Sequence, residues 1–233
     1  MKIAVLADIH SNYIAFEKVL EDIDEKHKPE SYYFLGDYIG YYFWPKQVVD
    51  MVEAIPNKEM VQGNHERMLE EKQKGSNLQS KYGKGIEIAE ETLSSKQQKL
   101  LIDLPEKRMV NIDGVRILLC HGSPQDRDLY VYPDSSDKLL YQCADNEADI
   151  VLMAHTHYPF VKRIGGKVLA NAGSVGQPRD KGSLSSYLIV DTDTKEVIIQ
   201  RVKTDNLEVI KKAKEIHPNL PYLQEVLMRG IED

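Results

Sequence analysis

The feature of the sequence that most limits how the chain can fold is the position of side chains able to bind a metal ion. They follow apolar, strand-like runs at five places, in the segments ADIH (7–10), LGD (35–37), QGNHE (62–66), CHG (120–122) and AHTH (154–157). In a fold of strands joined by crossovers, the carboxyl ends of parallel strands meet along one edge of the sheet. We therefore expect these five strand ends to converge.

Hydrophobic periodicity predicts an alternation of strands and helices. The predicted strands are KIAVLA (2–7), SYYFLG (31–36), EMVQG (59–63), VRILLC (115–120), DIVLMA (149–154) and KVLANA (167–172). Helical spacing predicts a helix around residues 16–23 with Ser11 or Asn12 as its N-cap, one that begins at Pro45, and one capped by Ser94 or Ser95. Such alternation is typical of a largely parallel sheet.

Two pairs of runs instead predict antiparallel hairpins. KRMVNI and VRILLC flank Asp113-Gly114, a strong two-residue turn signal, and SYLIVD and EVIIQRV flank a short polar turn. The expected architecture is therefore a mixed sheet, or two packed sheets with outer helices. With 233 residues, the chain is expected to form one elaborated domain over 1–233. Residues 206–233 are expected to be a C-terminal helical extension, with a helix over 221–228 that stops near Gly230.

Composition excludes several classes of function. The formal net charge of −7 and the lack of a long basic block argue against a duplex nucleic acid partner. No apolar run approaches the roughly 20 residues of a membrane span, and the start MKIAVLADIH is expected to be a first strand, not a signal peptide. Cys120 and Cys143 lack CxxC spacing, which favours free thiols. We expect a cytoplasmic protein that does not bind membranes.

Five of the seven histidines fall on the five strand ends, with two aspartates and one asparagine. Each residue alone has an ordinary explanation, because a histidine at a strand end is commonly hydrogen-bonded and Asp or Asn beside Gly is typical of turns. The joint pattern favours a metal site. Side chains two apart in an extended segment point the same way, so Asp8 with His10, and His155 with His157, can each serve one site. Imidazole, carboxylate and amide oxygen suit Mn, Fe, Zn or Ni.

The motifs DIH, GD, GNHE, HG and HTH, in this order and at these separations, resemble the signature of the calcineurin-like metallophosphoesterases. The segment ANAGSVGQPRD (170–180) is similar to one in the small prokaryotic phosphodiesterase branch of that superfamily. The resemblance extends over approximately residues 1–200. It implies an α/β (α+β) fold, a four-layer sandwich of two mixed β-sheets flanked by helices, with two metal ions at the strand ends.

The same likeness implies a ligand set. One ion would be held by Asp8, His10, Asp37 and His157, and the other by Asp37, Asn64, His121 and His155. Asp37 would bridge the ions with its two carboxylate oxygens. Manganese is the expected metal. Two divalent ions would attract a phosphate ester locally and lower the pKa of a bridging water toward roughly 7, which makes hydroxide available for in-line attack on phosphorus.

His65 is not needed as a ligand in this set. The resemblance implies that it is the acid that protonates the leaving oxygen, or that it steadies the phosphoryl group, and an unperturbed pKa of about 6.5 would suit that role. Glu66 could orient it. The candidate catalytic residues are therefore Asp37, Asn64 and His65, and the last two are also candidate substrate contacts.

The stretch GDYIGYYFWP (36–45) lacks the Asp and Arg of the GDxxDRG pattern carried by the Ser/Thr protein phosphatases of this superfamily. Without that arginine a phosphomonoester dianion loses a bidentate partner, which favours diesters. Tyr41 and Trp44 in this stretch could stack on a nucleobase. A core cluster, or a contact between copies in a homo-oligomer, is the commoner arrangement of such aromatic residues.

Two further segments offer candidate substrate contacts. The loop SPQDRDLYVYPD (123–134) carries Arg127, Tyr130 and Tyr132 and could cover the substrate, although an ordinary surface loop has the same composition. The segment around 170–180 could support the site from behind through Asn171, Ser174 and Arg179.

The expected function is a dinuclear-metal phosphodiesterase that acts on a small or nucleotide-like phosphodiester. One alternative is a dinucleoside polyphosphate hydrolase, which would use the same metal site to attack an anhydride. Another is a phosphomonoester or phosphoprotein phosphatase, and a third is a non-catalytic scaffold of the same fold. A scaffold would be expected to lose ligands or the acid histidine, and here every such position is filled.

Overall fold

The computed structural model describes residues 1–76 and 83–230, and over those ranges the chain forms ten strands and eight helices. The strands are β1 (Lys2–Leu6), β2 (Ser31–Phe34), β3 (Lys58–Met60), β4 (Lys107–Ile112), β5 (Val115–Cys120), β6 (Ile150–Met153), β7 (Phe160–Ile164), β8 (Lys167–Asn171), β9 (Leu184–Asp191) and β10 (Glu196–Lys203). The helices are α1 (Tyr13–Lys26), α2 (Pro45–Ala54), α3 (Asn64–Gln73), α4 (Gly85–Thr92), α5 (Ser95–Ile102), α6 (Asp137–Ala144), α7 (Leu207–Ile216) and α8 (Tyr222–Met228).

The strands form two mixed sheets of five strands each. In the first, of order β10-β9-β1-β2-β3, β1, β2 and β3 are parallel and β9 runs antiparallel to both β1 and β10. In the second, of order β4-β5-β6-β8-β7, β5, β6 and β8 are parallel and the two outer strands are antiparallel. The expectation of mixed pairing is confirmed.

Apolar side chains hold the layers together on both faces of each sheet. In β1, Ile3 and Val5 pack between the two sheets, whereas Leu6 packs under the helices of the first sheet. Helices α1 to α5 cover the outer face of the first sheet, and α6 covers that of the second. A strand buried on both faces is apolar at every position, which explains the continuous run IAVL. The order helices, sheet, sheet, helix is the predicted four-layer sandwich.

Local signals in the sequence account for several of these elements. The β4–β5 hairpin turns through Asp113 and Gly114, which both have positive φ, at 51° and 83°, as a two-residue turn between strands requires. Helix α1 is capped by Asn12 and α5 by Ser94, whose side chains accept the backbone N–H of Ala15 and Gln97. These three predictions are confirmed.

One part of the chain differs from the prediction. The strand expected over 59–63 ends at Met60, and Asn64 begins α3, so His65 lies in the first turn of a helix. Helix α7 lies in the segment expected to be helical, although only the helix over 221–228 was predicted with bounds. Val209, Ile210, Ala213 and Ile216 of α7 recur at helical spacing and pack together, so the periodic signal is present in the sequence. Among the described residues, no helix has the length and apolar character to cross a membrane.

The two C-terminal helices cover the aromatic stretch that follows Gly40. Tyr42, Phe43 and Trp44 form a buried cluster with apolar residues of α7 and α8. The Trp44 ring contacts Tyr13 at 5.4 Å between centroids, and the Lys212 ammonium lies 4.6 Å from its centre. Residues 231–233 lie outside the described part of the chain, and the division into one domain with a C-terminal extension stays a prediction.

Because Trp44 is only 8% exposed, we expect Trp44→Ala to act on stability and not on substrate binding. Truncation of a buried Trp typically costs about 3–5 kcal/mol of the free energy of unfolding, which denaturant titration can measure. Tyr141→Ala is the control, because Tyr141 is 60% exposed on α6. A stable Trp44→Ala protein with weakened nucleotide binding would contradict this assignment.

Candidate metal centre

All seven residues predicted as ligands meet in one buried cluster. Each follows a strand of one of the two sheets, and the least buried of them, Asn64, is 9% exposed. The strands that precede them are β1 for Asp8 and His10, β2 for Asp37, β3 for Asn64, β5 for His121, and β6 for His155 and His157. The expected convergence of five strand ends is confirmed.

The backbone of most of these residues is in the left-handed region. The φ angles are 51° for Asp8, 49° for His10, 55° for Asp37, 71° for His155 and 63° for His157. A non-glycine residue held there costs of the order of 1–3 kcal/mol and persists only where the surrounding structure enforces it. The sequence-based picture of extended segments, with side chains two apart on one face, is therefore wrong for both Asp8–His10 and His155–His157.

Each aspartate uses one carboxylate oxygen for structure and leaves the other in the cluster. Asp8 Oδ2 accepts the backbone N–H of His155 at 3.0 Å, which ties the end of β1 to the end of β6 across the two sheets. Asp37 Oδ1 accepts the backbone N–H of His65 at 2.9 Å. Asp8 Oδ1 is buried and has no hydrogen-bond partner among the described residues. A buried orphan oxygen of this kind indicates a missing cation or donor.

Backbone carbonyls fix the tautomer of three histidines. The Nδ1 atoms of His10, His121 and His157 lie 3.2, 2.7 and 2.6 Å from the carbonyl oxygens of Ile39, Leu35 and Gln177, respectively. A carbonyl oxygen can only accept, so each Nδ1 carries a proton and donates it. In the neutral ring Nε2 then keeps its lone pair, and in all three residues Nε2 faces the cluster. A backbone acceptor behind the ring is typical of metal-binding histidines.

The contact between His10 and His157 is suited to a cation. Their Nε2 atoms are 3.1 Å apart, and burial lowers the pKa of both rings well below the usual value, so both are neutral. Two lone pairs then face each other at hydrogen-bond distance without a proton between them. Asp8 Oδ1 lies 3.6 Å from His157 Nε2, and burial raises the pKa of Asp8 to about 8. A shared metal ion would resolve both the lone-pair repulsion and the buried acid.

The distances fit the two predicted ligand sets. Ligand atoms bound to one ion at about 2.0–2.2 Å stand about 3–4 Å from each other. In three groups the ligand atoms all lie within 4.8 Å of one another: Asp8, His10 and His157; Asp37, His121 and His155; and His10, Asp37 and His65. The first two are the predicted sets. Asn64 Oδ1 joins the second group at 3.0 Å from His121 Nε2. The donors are imidazole, carboxylate and amide oxygen, which suit first-row transition metals.

Asp37 lies between the two groups and faces both with the same oxygen. Its Oδ2 is 3.7 Å from His10 Nε2 and 3.3 Å from His121 Nε2. The sequence suggested one carboxylate oxygen for each ion. In the structure Oδ1 is held by the His65 amide, so a bridge would be made by Oδ2 alone.

His65 lines the same cavity. Its ring contacts those of His10 and Tyr41, both at 4.7 Å between centroids, and its Nε2 lies 3.9 Å from Asp37 Oδ2. Burial is the main cause that lowers the pKa of His65 to about 4, against the opposing effect of Asp37. The imidazole is therefore neutral at neutral pH, and the expectation of an unperturbed pKa is wrong.

Glu66 does not orient His65 as the sequence had suggested. Its carboxylate accepts the backbone N–H groups of Asp37, Tyr38 and Gly63, each at 2.9 Å. Burial, the largest cause, raises the pKa of Glu66 to about 7. The side chain instead holds the loop that carries Asp37 in its left-handed conformation. Glu66 thus makes half of a helix capping box, the bond to the Gly63 N–H; glycine has no side chain to make the other half.

Arg179 is a site residue that the sequence placed only in a supporting role. Its Nη2 donates to the Tyr41 hydroxyl at 3.3 Å and to Gln177 Oε1 at 3.4 Å, and its buried Nε has no partner among the described residues. No carboxylate in the described part of the chain forms an ion pair with it, whereas its charge acts on Asp8 and on the cluster histidines. A guanidinium that faces a metal site without a carboxylate partner is suited to bind an anion.

The residues proposed as substrate contacts separate into two groups. Tyr41 lies in the wall of the cluster, 4.6 Å from the His10 ring, and is 7% exposed. Trp44 instead lies in the aromatic cluster that α7 and α8 cover. The Arg127 guanidinium pairs with Glu106 at the surface, and within the described ranges no contact joins it to the metal cluster. Neither Trp44 nor Arg127 is brought to the site.

The α8 helix is connected to a predicted ligand through hydrogen bonds. The Tyr42 hydroxyl donates to the Leu223 carbonyl at 3.2 Å and accepts from Gln177 Nε2 at 3.3 Å. The backbone carbonyl of Gln177 in turn accepts from Nδ1 of His157. Three successive hydrogen bonds thus link the last helix to the metal cluster.

Comparisons with known proteins agree with this geometry. The model of the calcineurin-like phosphoesterase superfamily domain matches residues 1–195. An uncharacterized protein of Methanocaldococcus jannaschii is 32% identical over 249 residues, which cover 98% of each chain.

Among solved structures, a hypothetical protein of Pyrococcus horikoshii has the same fold with a TM-score of 0.86 at 22% identity, over 100% of this chain and 99% of that one. A metallophosphoesterase of Sphaerobacter thermophilus has a TM-score of 0.78 at 22% identity, over 98% and 100%. The predicted four-layer fold is therefore shared along nearly the whole chain.

The cluster predicts binding of about two divalent ions per chain. Measured by mass spectrometry after dialysis against Mn²⁺, Asp37→Asn should lose most of both ions, because its Oδ2 faces both groups, while the amide oxygen preserves the bond to His65. Asp191→Asn, at the far end of β9, is the control and should keep the wild-type content. Full metal content in Asp37→Asn would contradict the bridging position.

Proposed function

Because the chain belongs to the calcineurin-like phosphoesterase superfamily, we propose that it is a metal-dependent phosphodiesterase that hydrolyses a small, nucleotide-like phosphodiester. The observation that carries this proposal is the pair of neutral imidazoles of His10 and His157, whose lone pairs face each other at 3.1 Å beside the buried Asp8. A cation would relieve both the facing lone pairs and the buried carboxylate. A site built to hold cations beside an open guanidinium is suited to a phosphate ester.

The residues that would hold the ions are those of the two groups described above. One ion would be held by Asp8, His10, Asp37 and His157, and the other by Asp37, Asn64, His121 and His155. When bound, a pair of divalent ions, with manganese as our first proposal, supplies a nucleophile from water at neutral pH and neutralises charge on the phosphate.

Arg179 would bind a non-bridging oxygen of the phosphate. Tyr41 and Gln177 hold its Nη2, so the guanidinium is preorganised and loses little side-chain entropy when an anion binds. The absence of the GDxxDRG arginine was the sequence argument for a diester. Arg179 supplies one guanidinium from another part of the chain, so the site does not lack an arginine. The missing GDxxDRG arginine therefore argues only that a second guanidinium, which a monoester dianion could use, is absent from that motif.

His65 would act on the side of the leaving group. Its ring lies next to Asp37, and in its neutral form it still carries one ring N–H that can donate to a departing oxygen. Because burial lowers its pKa to about 4, the ring does not carry a second proton at neutral pH. It would stabilise the leaving oxygen by a hydrogen bond, with proton transfer developing only as negative charge appears there.

The proposed function is tested by a panel of three substrates with manganese-loaded protein. Bis(p-nitrophenyl) phosphate should be hydrolysed with a higher kcat/KM than p-nitrophenyl phosphate and diadenosine tetraphosphate, and Asp37→Asn should hydrolyse none of them. Preference for the monoester or for the polyphosphate would replace the diester assignment. Metal-loaded protein that hydrolyses none of the three would instead support the scaffold alternative.

For His65→Ala we expect normal metal content and a loss of turnover that depends on the leaving group. The loss should be about 10²–10⁴-fold for a diester with an alkoxide leaving group and much smaller for p-nitrophenolate, which departs without a proton. His27→Ala, at the C-terminal end of α1, is the matched control. An equal loss for both leaving groups would assign His65 to the phosphoryl group instead, and unchanged turnover would exclude it from catalysis.

A further inference from the structure

Two exposed tyrosines lie directly beside the metal cluster on the loop between β5 and α6. Tyr130 is 45% exposed and Tyr132 is 37% exposed, and their rings are nearly parallel, at 15°, with centroids 6.0 Å apart. We call this pair the tyrosine shelf. The Tyr130 ring lies 4.0 Å from the ring of His155, a predicted ligand. The shelf is thus in contact with the site where a phosphate would bind.

The exposure of these rings is not the result of a loosely held loop. Val131, between them, is 1% exposed and packs in the core of the second sheet. The Tyr132 backbone N–H donates to Ser135 Oγ at 2.8 Å, and the Ser135 N–H donates back to the Tyr132 carbonyl at 3.1 Å. Side chains on either side of a buried residue in an extended segment point away from the core. The chain therefore holds two large aromatic surfaces in solvent on a fixed backbone.

The shelf differs from the other exposed apolar side chains. In the described part of the chain these are on strands and helices, and they are Met109, Tyr141, Ile198, Leu207 and Met228. Among the exposed apolar side chains of the described ranges, only the shelf contacts the imidazole of a predicted metal ligand, His155. Tyr158 extends the shelf, because its ring lies 5.6 Å from that of Tyr132. A contiguous aromatic surface beside a polar site is typical of ligand binding.

Arg179 defines the direction in which a ligand would lie. Arg179 contacts Tyr41, which packs on His10, and Tyr130 packs on His155, so both Arg179 and the shelf border the predicted ligands. A phosphate held at these ligands would lie next to the shelf. Any nucleobase can stack on a tyrosine ring, because every base has a planar aromatic face. The fixed backbone of the shelf reduces the entropy cost of binding.

We propose that the tyrosine shelf binds the base of a nucleoside esterified to the scissile phosphate, so that the substrate is a nucleotide diester. The proposal rests on the proposed phosphodiesterase function. It transfers the base-stacking role that the sequence suggested for Tyr41 and Trp44 to Tyr130 and Tyr132. Tyr41 and Trp44 are buried, whereas Tyr130 and Tyr132 are partly exposed to solvent.

The test compares two substrates with the same leaving group, thymidine 5′-(p-nitrophenyl phosphate) and methyl p-nitrophenyl phosphate. In Tyr130→Ala/Tyr132→Ala, kcat/KM for the thymidine diester should fall about 10- to 100-fold, while that for the methyl diester stays within about twofold. Tyr130→Phe/Tyr132→Phe keeps the ring faces and should retain the preference. Tyr141→Ala is the matched control for loss of an exposed tyrosine. An equal fall for both diesters would overturn the proposal.

A second measurement does not require turnover. Isothermal titration calorimetry should give about 10- to 100-fold tighter binding of adenosine 5′-monophosphate than of ribose 5-phosphate to the wild type, and the difference should vanish in Tyr130→Ala/Tyr132→Ala. Equal binding of the two compounds by the wild type would exclude the shelf. If neither diester is hydrolysed but this difference is found, the phosphodiesterase function fails and the nucleoside site remains.

Discussion

The structure depends on the balance of charge in one buried cluster at the edge of two sheets. Carboxylates and imidazoles taken out of water are costly unless a partner compensates them. Here Asp8 Oδ1 lacks a partner among the described residues, and the lone pairs of His10 and His157 face each other. The donors of this cluster therefore favour a cation on grounds that are independent of any resemblance. The proposed hydrolysis, the position of the phosphate and the role of His65 all depend on where the cations would lie.

The cluster is held in place by carboxylate oxygens that accept hydrogen bonds from backbone N–H groups. The Asp8 and Asp37 carboxylates each accept a backbone N–H from a different loop, and the Glu66 carboxylate accepts four. These bonds offset the strain of left-handed backbone at five ligand positions. Strained ligands supported in this way are preorganised for the metal, so ion binding does not have to rearrange the loops.

The residues alone were sufficient to predict mixed sheets and the convergence of five strand ends, because ligand chemistry at strand ends is a local pattern. The four-layer fold and the ligand set were what the resemblance implied. The sequence could not predict the conformations or the direction of the substrate. The positive φ of Asp8 or His155 arises from hydrogen bonds between loops far apart in the chain. The burial of Trp44 depends on α7, which packs in the same cluster from a distant part of the chain. The reach of Arg179 depends on Tyr41, 138 positions away, and no spacing rule relates them.

The hydrogen bonds from Leu223 through Tyr42 and Gln177 to His157 cross a boundary in the chain. The superfamily model ends at residue 195, while Leu223 belongs to the appended α8. A predicted ligand inside the residues that the superfamily model matches is thus braced by a segment beyond them. A displacement of α8 would therefore change the support of one imidazole while all seven predicted ligands stay in the chain.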